Sequence, residues 1–240
     1  MVGIGPGGEE DLTGRAFHTI DDADLLVGYT AYINLVKEMS CYHGQETYAT
    51  GMTREVERVQ YAIEAAGRSL LVAVVSSGDA GVYGMAGLVL EVMESSGQYA
   101  ALEVIPGIPA ANSAAARLGA PLMQDYATIS LSDLLTPLPD ILARVEAAAA
   151  ADFVIVFYNP RGKNRKDPWD KALSILKKHR GPDTPVGLVS RAGRFGESVK
   201  ITCLEHLDRH EPDMLTTVIV GNSRTRVANG RMITPRGYEL

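Results

Sequence analysis

Residues 70–87, LLVAVVSSGDAGVYGMAG, constrain the fold of this chain more than any other stretch. An apolar, largely β-branched run from Leu70 to Val75 stops at Ser76-Ser77-Gly78-Asp79, and Gly81, Gly84 and Gly87 follow with Tyr83 among them. A short apolar run bounded this sharply reads as a strand buried on both faces, the kind found in parallel sheets covered by helices. A glycine-rich loop with one acid after such a strand lies where α/β proteins hold small ligands, at the carboxyl end of the sheet. The loop has no lysine, which separates it from a phosphate cradle and points to a ligand with neutral, hydroxyl-rich or amino-bearing groups. On spacing alone Asp79 fits two roles equally. It can accept hydrogen bonds from a ribose diol or an amine, or it can cap a helix beginning near Gly84.

The rest of the chain repeats the alternation of strand and helix. Met1–Ile4, Leu25–Val27, Leu70–Val75 and Leu102–Ile105 read as strands. Glu9–Ile20, Thr53–Ala66, Met85–Ser95 and Pro109–Leu118 read as helices, with Val56, Val59, Ala62 and Ile63 as one apolar face and Thr53 as a cap. This order predicts a mostly parallel sheet with helices on both faces. Past Gly119-Ala120-Pro121 the strands come closer together: Tyr126–Leu131, Phe153–Phe157, Val186–Val189, Ser198–Thr202 and Val218–Val220, with helices at Ile141–Ala151 and Pro168–His179. A mixed sheet is expected there. The reading is α/β with two α/β domains, 1–120 and 121–240.

Composition narrows the function. Among 240 residues, 29 acids against 23 bases give a net charge of −6, which argues against a general nucleic-acid binder while leaving room for a local basic pocket. Cys41 and Cys203 lack CxxC spacing, so free thiols in a reducing, cytoplasmic setting are expected and a thiolate metal site is not. His206 and His210 fall on a polar helix end and read as solvated, so no protein-bound metal is expected. No apolar run reaches bilayer length and no charged-then-apolar leader precedes the first strand, so no membrane association is expected.

Three further stretches carry chemistry. Gly3-Ile4-Gly5-Pro6-Gly7-Gly8 satisfies GxGxxG between a strand and a helix, with Asp21 and Asp22 following, which is the form of a dinucleotide fingerprint and keeps a nicotinamide-dependent oxidoreductase open as an alternative. Pro6, however, removes a backbone N–H from the turn that would face a pyrophosphate, so a cleft-lining loop is the preferred reading. Phe157–Lys166, FYNPRGKNRK, closes an apolar strand with Arg161, Lys163, Arg165 and Lys166, a cluster suited to an acidic ligand. Ser223-Arg224-Thr225-Arg226 follows another strand and is expected to add two bases to the same rim. Tyr29, Tyr32, Tyr42 and Tyr48 are candidates for lining a pocket, with core or surface positions the preferred reading. No Ser-His-Asp order, GxSxG elbow or paired carboxylates point to hydrolysis.

Together these motifs resemble the tetrapyrrole methylase family, methyltransferases that use S-adenosylmethionine (SAM) to modify the macrocycle on the way to cobalamin. The resemblance rests on Gly3-Ile4-Gly5-Pro6-Gly7, Asp11-Leu12-Thr13, Gly78-Asp79 and Val104-Ile105-Pro106-Gly107-Ile108, and it departs from many members at Ala80, where they carry Pro. Ser76–Gly87, Phe157–Arg165, Gly221–Thr225 and Thr234–Glu239 are most similar to the branch acting at carbon 17 of precorrin-3B or its cobalt counterpart. A related branch with different carbon specificity is the alternative. The resemblance implies a SAM site in a cleft between the domains, S-adenosylhomocysteine as product, a homodimer, and methylation coupled to ring contraction. Carried over by position, it implies cofactor binding by Pro6, Gly78, Asp79, Val82, Pro109 and Ala110, with Tyr158 and Thr216 or Thr217 from the second domain. The many carboxylates of such a substrate assign Arg161, Lys163, Arg165, Arg224 and Arg226 to substrate binding. The base for ring contraction stays unassigned.

Overall fold

The buried run ending at Ser76 does become a central strand, and it organises the first half of the molecule. The computed structural model describes residues 1–162 and 167–239. It divides into two compact units, Met1–Ala110 and Ala111–Leu240.

The first unit contains β1 (Val2–Gly3), α1 (Gly14–Asp21), β2 (Leu25–Tyr29), α2 (Thr30–Lys37), β3 (Glu46–Thr50), α3 (Glu55–Ala66), β4 (Val72–Ser76) and α4 (Ala86–Ser96). Its strands lie in the order β1-β4-β2-β3, all parallel. Alternate side chains of one strand go to opposite faces, so each face collects its own core. Leu25, Val27 and Val74 pack with α3 and α4 through Val59, Ile63, Val89 and Val92. Leu26, Ala73 and Val75 pack with α1 and α2 through Ala16, Ile20, Ile33 and Val36.

The second unit begins along α5 (Ala110–Leu118) and β5 (Gly119–Ala120), followed by β6 (Tyr126–Ser130), α6 (Leu138–Ala150), β7 (Val154–Tyr158), α7 (Asp167–His179), β8 (Pro185–Ser190), β9 (Ser198–Cys203), β10 (Thr216–Val220), β11 (Arg226–Ala228) and β12 (Arg231–Ile233). A five-stranded sheet runs β6-β7-β10-β8-β9, with β6 and β7 parallel and β10 antiparallel to both of its neighbours. A small sheet, β11-β12-β5, forms beside it. Ile155, Phe157, Val218 and Val220 face α6 and α7, with Phe157 edge-on to Trp169. Val154, Val156 and Ile219 face α5 and Met232. Gly187 on β8 admits α5: a Cβ there would lie 2.3 Å from a Leu118 methyl. This packing puts α5 with the second unit, so the division falls near Ala110 and not at 120.

Several local expectations change. Leu102–Ile105 forms no strand and makes only an isolated bridge, Ile105 to Val2. The helix expected over Glu9–Ile20 is a 3-10 turn at Glu9–Asp11 and then α1, because the Thr13 hydroxyl accepts from the Ala16 N–H and restarts the helix. Thr53 does not cap α3. It sits at a φ of 67° and its hydroxyl donates to the Met52 carbonyl. Val56 is half exposed, while Arg58 is buried on that helix, its guanidinium donating to the Thr50 hydroxyl and the Gly51 carbonyl. His206 is not fully solvated either, since its Nδ1 is buried. α2, β3, β11 and β12 lie in stretches where no element was expected. Among the described residues, no helix is long and apolar enough to cross a membrane.

Candidate functional site

In the first unit, three loops meet at the carboxyl end of the parallel sheet, joined first by backbone hydrogen bonds. Gly5 and Gly78 exchange reciprocal hydrogen bonds, Gly5 N–H to Gly78 carbonyl at 3.0 Å and Gly78 N–H to Gly5 carbonyl at 2.8 Å. The Gly3 N–H donates to the Ile105 carbonyl. No side chain fits between these strands: a Cβ on Gly107 would lie 2.2 Å from the Gly78 oxygen and 2.6 Å from the Gly3 oxygen. Glycines at Gly5 and Gly78 also meet the positive φ of the turns, 63° and 66°.

Asp79 fastens this arrangement. Its Oδ1 accepts the Gly81 N–H at 2.7 Å and its Oδ2 accepts the Gly107 N–H at 3.0 Å. The cap role is therefore corrected: α4 begins at Ala86 with no side-chain cap. The carboxylate ties its own loop to the 106–108 segment and keeps acceptor capacity, because each carboxylate oxygen has two lone-pair sites. Pro6 and Gly78 are buried, and Asp79, Val82, Pro109 and Ala110 are half-buried at this end. Backbone groups and one carboxylate, with no lysine, suit a cationic ligand carrying hydroxyls and do not suit a polyphosphate. SAM, a sulfonium with an amino group and a ribose diol, fits that donor set.

The dinucleotide alternative fails on the same geometry. The Gly3–Gly8 loop leads into a 3-10 turn at Glu9–Asp11, and the α-helix that follows begins only at Gly14. Asp21 and Asp22 precede β2, whereas the fingerprint's acid follows the second strand's start. β2 pairs with β3 and β4, so β1 is not flanked as in a dinucleotide-binding sheet.

In the second unit, Tyr158, Thr216 and Thr217 share one end of the main sheet, since Val218 lies opposite Phe157 in an antiparallel pair. The Tyr158 phenol oxygen accepts the Ala111 N–H at 2.9 Å, at the start of α5. Thr216 and Thr217 are buried, and the Thr216 hydroxyl donates to Asp213 Oδ1 at 2.7 Å. Arg161 is at this end too, but its guanidinium is largely buried and bridges Glu211 at 3.1 Å and Asp170 at 3.5 Å. Lys163 and Arg165 lie outside the described residues.

The shared basic rim is corrected. Because β10 runs antiparallel to β7, the turn after it returns to the opposite end of the sheet. Ser223 donates to Asp152, just before β7, and the Gly221 N–H donates to the Pro185 carbonyl at the start of β8. Arg224 is thus a strand length away from Arg161, and Arg226 points out from β11. Sequence reading missed Gly107 and Arg58. The VIPGI motif contained Gly107, but only the close approach of three backbones gives it a role.

The family model of tetrapyrrole (corrin/porphyrin) methylases matches residues 1–208. The chain belongs to the tetrapyrrole methylases. As a tetrapyrrole methylase it is 51% identical over 243 residues to a cobalt-factor III methyltransferase of Priestia megaterium, covering 100% of this chain and 45% of that protein. It therefore spans under half the length of that relative. It is 48% identical to a probable cobalt-factor III C(17)-methyltransferase of Salmonella typhimurium, covering 100% of this chain and 99% of the other. Among solved structures, the methyltransferase CobJ matches with a TM-score of 0.92 at 33% identity, over 98% of both chains. Cobalt precorrin-4 methyltransferase, at 20% identity and a TM-score of 0.75, shares the fold.

Proposed function

We propose that this tetrapyrrole methylase transfers a methyl group from SAM to carbon 17 of a precorrin-3B-type macrocycle, in a step coupled to ring contraction during cobalamin biosynthesis. Full-length similarity to the Salmonella C(17)-methyltransferase supports the position of transfer, and the names of the relatives favour the cobalt-bearing form, cobalt-factor III. The observation that carries the cofactor assignment is the lysine-free, glycine-packed end of the first sheet, fastened by Asp79.

SAM supplies a methyl group on a sulfonium centre, a donor that is already activated. The protein's work is orientation and the exclusion of water. Gly78, Val82, Pro109 and Ala110 offer backbone and small side chains, so a ligand can approach the main chain closely. Asp79 holds its loop against Gly107 and offers its remaining acceptor positions to amine or hydroxyl groups. Pro6 fixes the first loop without presenting an N–H. We further propose that Tyr158, Thr216 and Thr217 contribute to binding the same cofactor. Arg161 would engage substrate carboxylates only by sharing its guanidinium with Glu211 and Asp170, so its part is to present a partly neutralised charge at that end of the sheet. Lys163 and Arg165 are proposed as the freer substrate-binding bases. The protein acts as a homodimer in this reading.

The test is direct. Incubation with SAM and cobalt-factor III should give a product heavier by one methyl group, placed at carbon 17 by NMR. Methylation at another carbon would support the related branch, and no transfer with either the cobalt-bearing or the metal-free macrocycle would refute the assignment.

A further inference from the structure

Gly221–Thr225 and Thr234–Glu239, two motifs of the sequence, play no part in the site described above, yet they fold onto each other. The buried hydroxyls of Thr225 and Thr234 share a hydrogen bond of 2.8 Å. Buried Asn222 accepts the Arg224 N–H on Oδ1 at 3.0 Å and donates from Nδ2 to Gln124 Oε1 at 3.2 Å, which sets the turn against the 122–125 segment. A Cβ on Gly221 would lie 2.6 Å from the Thr225 Cβ, so the turn is closely packed.

This framework bounds a cavity of about 720 Å³ within the second unit, lined among others by Leu122, Met123, Asp125, Phe153, Arg224 and Arg236. Its size is within the range of small-molecule sites. Asp152 is also at its wall, but its carboxylate is engaged by Arg180 and Ser223. Among the described residues, the guanidinium groups of Arg224 and Arg236 have no ion pair or hydrogen bond, and both line the same space. Two guanidinium forks without a carboxylate partner are matched by carboxylates of a ligand. Leu122, Met123 and Phe153 add a smaller apolar part to a mainly polar lining, and Asp125 adds an acceptor that discourages densely charged polyphosphates.

We propose that this cavity binds a carboxylate-bearing organic molecule, gripped by Arg224 and Arg236. The inference goes beyond methyl transfer and does not depend on it. The carboxylates could come from the acetate and propionate arms of a tetrapyrrole or from a small free acid.

The test uses the full chain and observes the arginine Nε–H signals of Arg224 and Arg236 by NMR, assigned with the Arg224→Gln and Arg236→Gln variants. Titrants are phthalate, a small aromatic dicarboxylate, and uroporphyrin, an octacarboxylate macrocycle. The expected result is a saturable shift of both signals, with Arg236→Gln weakening the remaining response roughly tenfold and Lys178→Gln, on the exposed side of α7, leaving it unchanged. A response to phthalate assigns a small acid, and a response to uroporphyrin alone assigns the macrocycle's arms. No response to either, or shifts equal to those from matched sodium chloride, overturns the proposal. Arg236 follows β12 on an exposed segment, so its variant tests the site even if Arg224→Gln disturbs the turn. No SAM is present, so failure here is distinct from failure of the methyltransferase reading.

Discussion

The two units treat their loops differently. In the first, every strand of the sheet is parallel, so the segments following β1, β2, β3 and β4 all emerge at one end. Gly5, the Gly78-Asp79 pair and Gly107, far apart in sequence, meet there as a consequence of topology. In the second, β10 enters antiparallel between β7 and β8, and the loop that follows it emerges at the other end. Arg161 and Arg224, each following an apolar strand and alike in sequence setting, end up at opposite ends of one sheet. A parallel sheet allows ligand loops to be read by counting strands, whereas a mixed sheet requires strand direction first.

The second unit's far end should be the more costly to break. Arg180 is buried, donates to the Ala149 and Phe153 carbonyls, and pairs with Asp152 at 3.2 Å. Arg180→Ala strands these groups and should cost about 3 kcal/mol, read as a lower midpoint in urea unfolding. A loss below about 1 kcal/mol would mean that water replaces the guanidinium freely.

The first unit's end should break by crowding. Gly107→Ala forces a methyl into the Gly3 and Gly78 backbones and should cost about 1–3 kcal/mol while abolishing tight S-adenosylhomocysteine binding. Gly87→Ala, where a Cβ meets nothing within 4 Å, serves as the contrast and should keep or slightly raise stability. Equal destabilisation by both would remove the close-packing argument.

Asp79→Ala unfastens the two loops without adding bulk. S-adenosylhomocysteine affinity by calorimetry should fall roughly tenfold, with a smaller change in melting temperature. Unchanged affinity would reduce Asp79 to a purely structural tie.

The smallest effect is electrostatic. The Gly193 N–H and then Arg117 hold the Glu197 carboxyl below its ordinary value of 4.5. A lowered carboxylate pKa gives stability that is present above the unfolded-state value and lost as pH falls through the folded-state value. Glu197→Gln should therefore flatten the acid side of the melting-temperature profile below pH 4.5, by less than about 1 kcal/mol because the group is partly solvated. A shift confined to neutral pH would contradict this linkage.

These contrasts also explain what could be read from the sequence. The α/β class, the parallel first sheet and the mixed second one follow from apolar runs and their spacing. Pro6 in the glycine loop is itself a sequence-level argument against a pyrophosphate site, because it removes an N–H from the turn. The roles of Gly107 and Arg58 come from contacts between segments distant in the chain, which no local pattern encodes. β11 and β12 are three residues each and half exposed, so they carry little hydrophobic periodicity. Arg161 looked like a free base because its partners, Asp170 and Glu211, are 9 and 50 residues away.

The central claim is that the glycine-packed end of the first sheet carries the cofactor. Hydrogen–deuterium exchange of the wild-type chain with and without S-adenosylhomocysteine tests it most directly. The account predicts slower exchange at Gly3–Gly8, Ser76–Val82 and Gly107–Ala111. Protection that spares all three and appears instead at Gly221–Thr225 and Arg236 would contradict it.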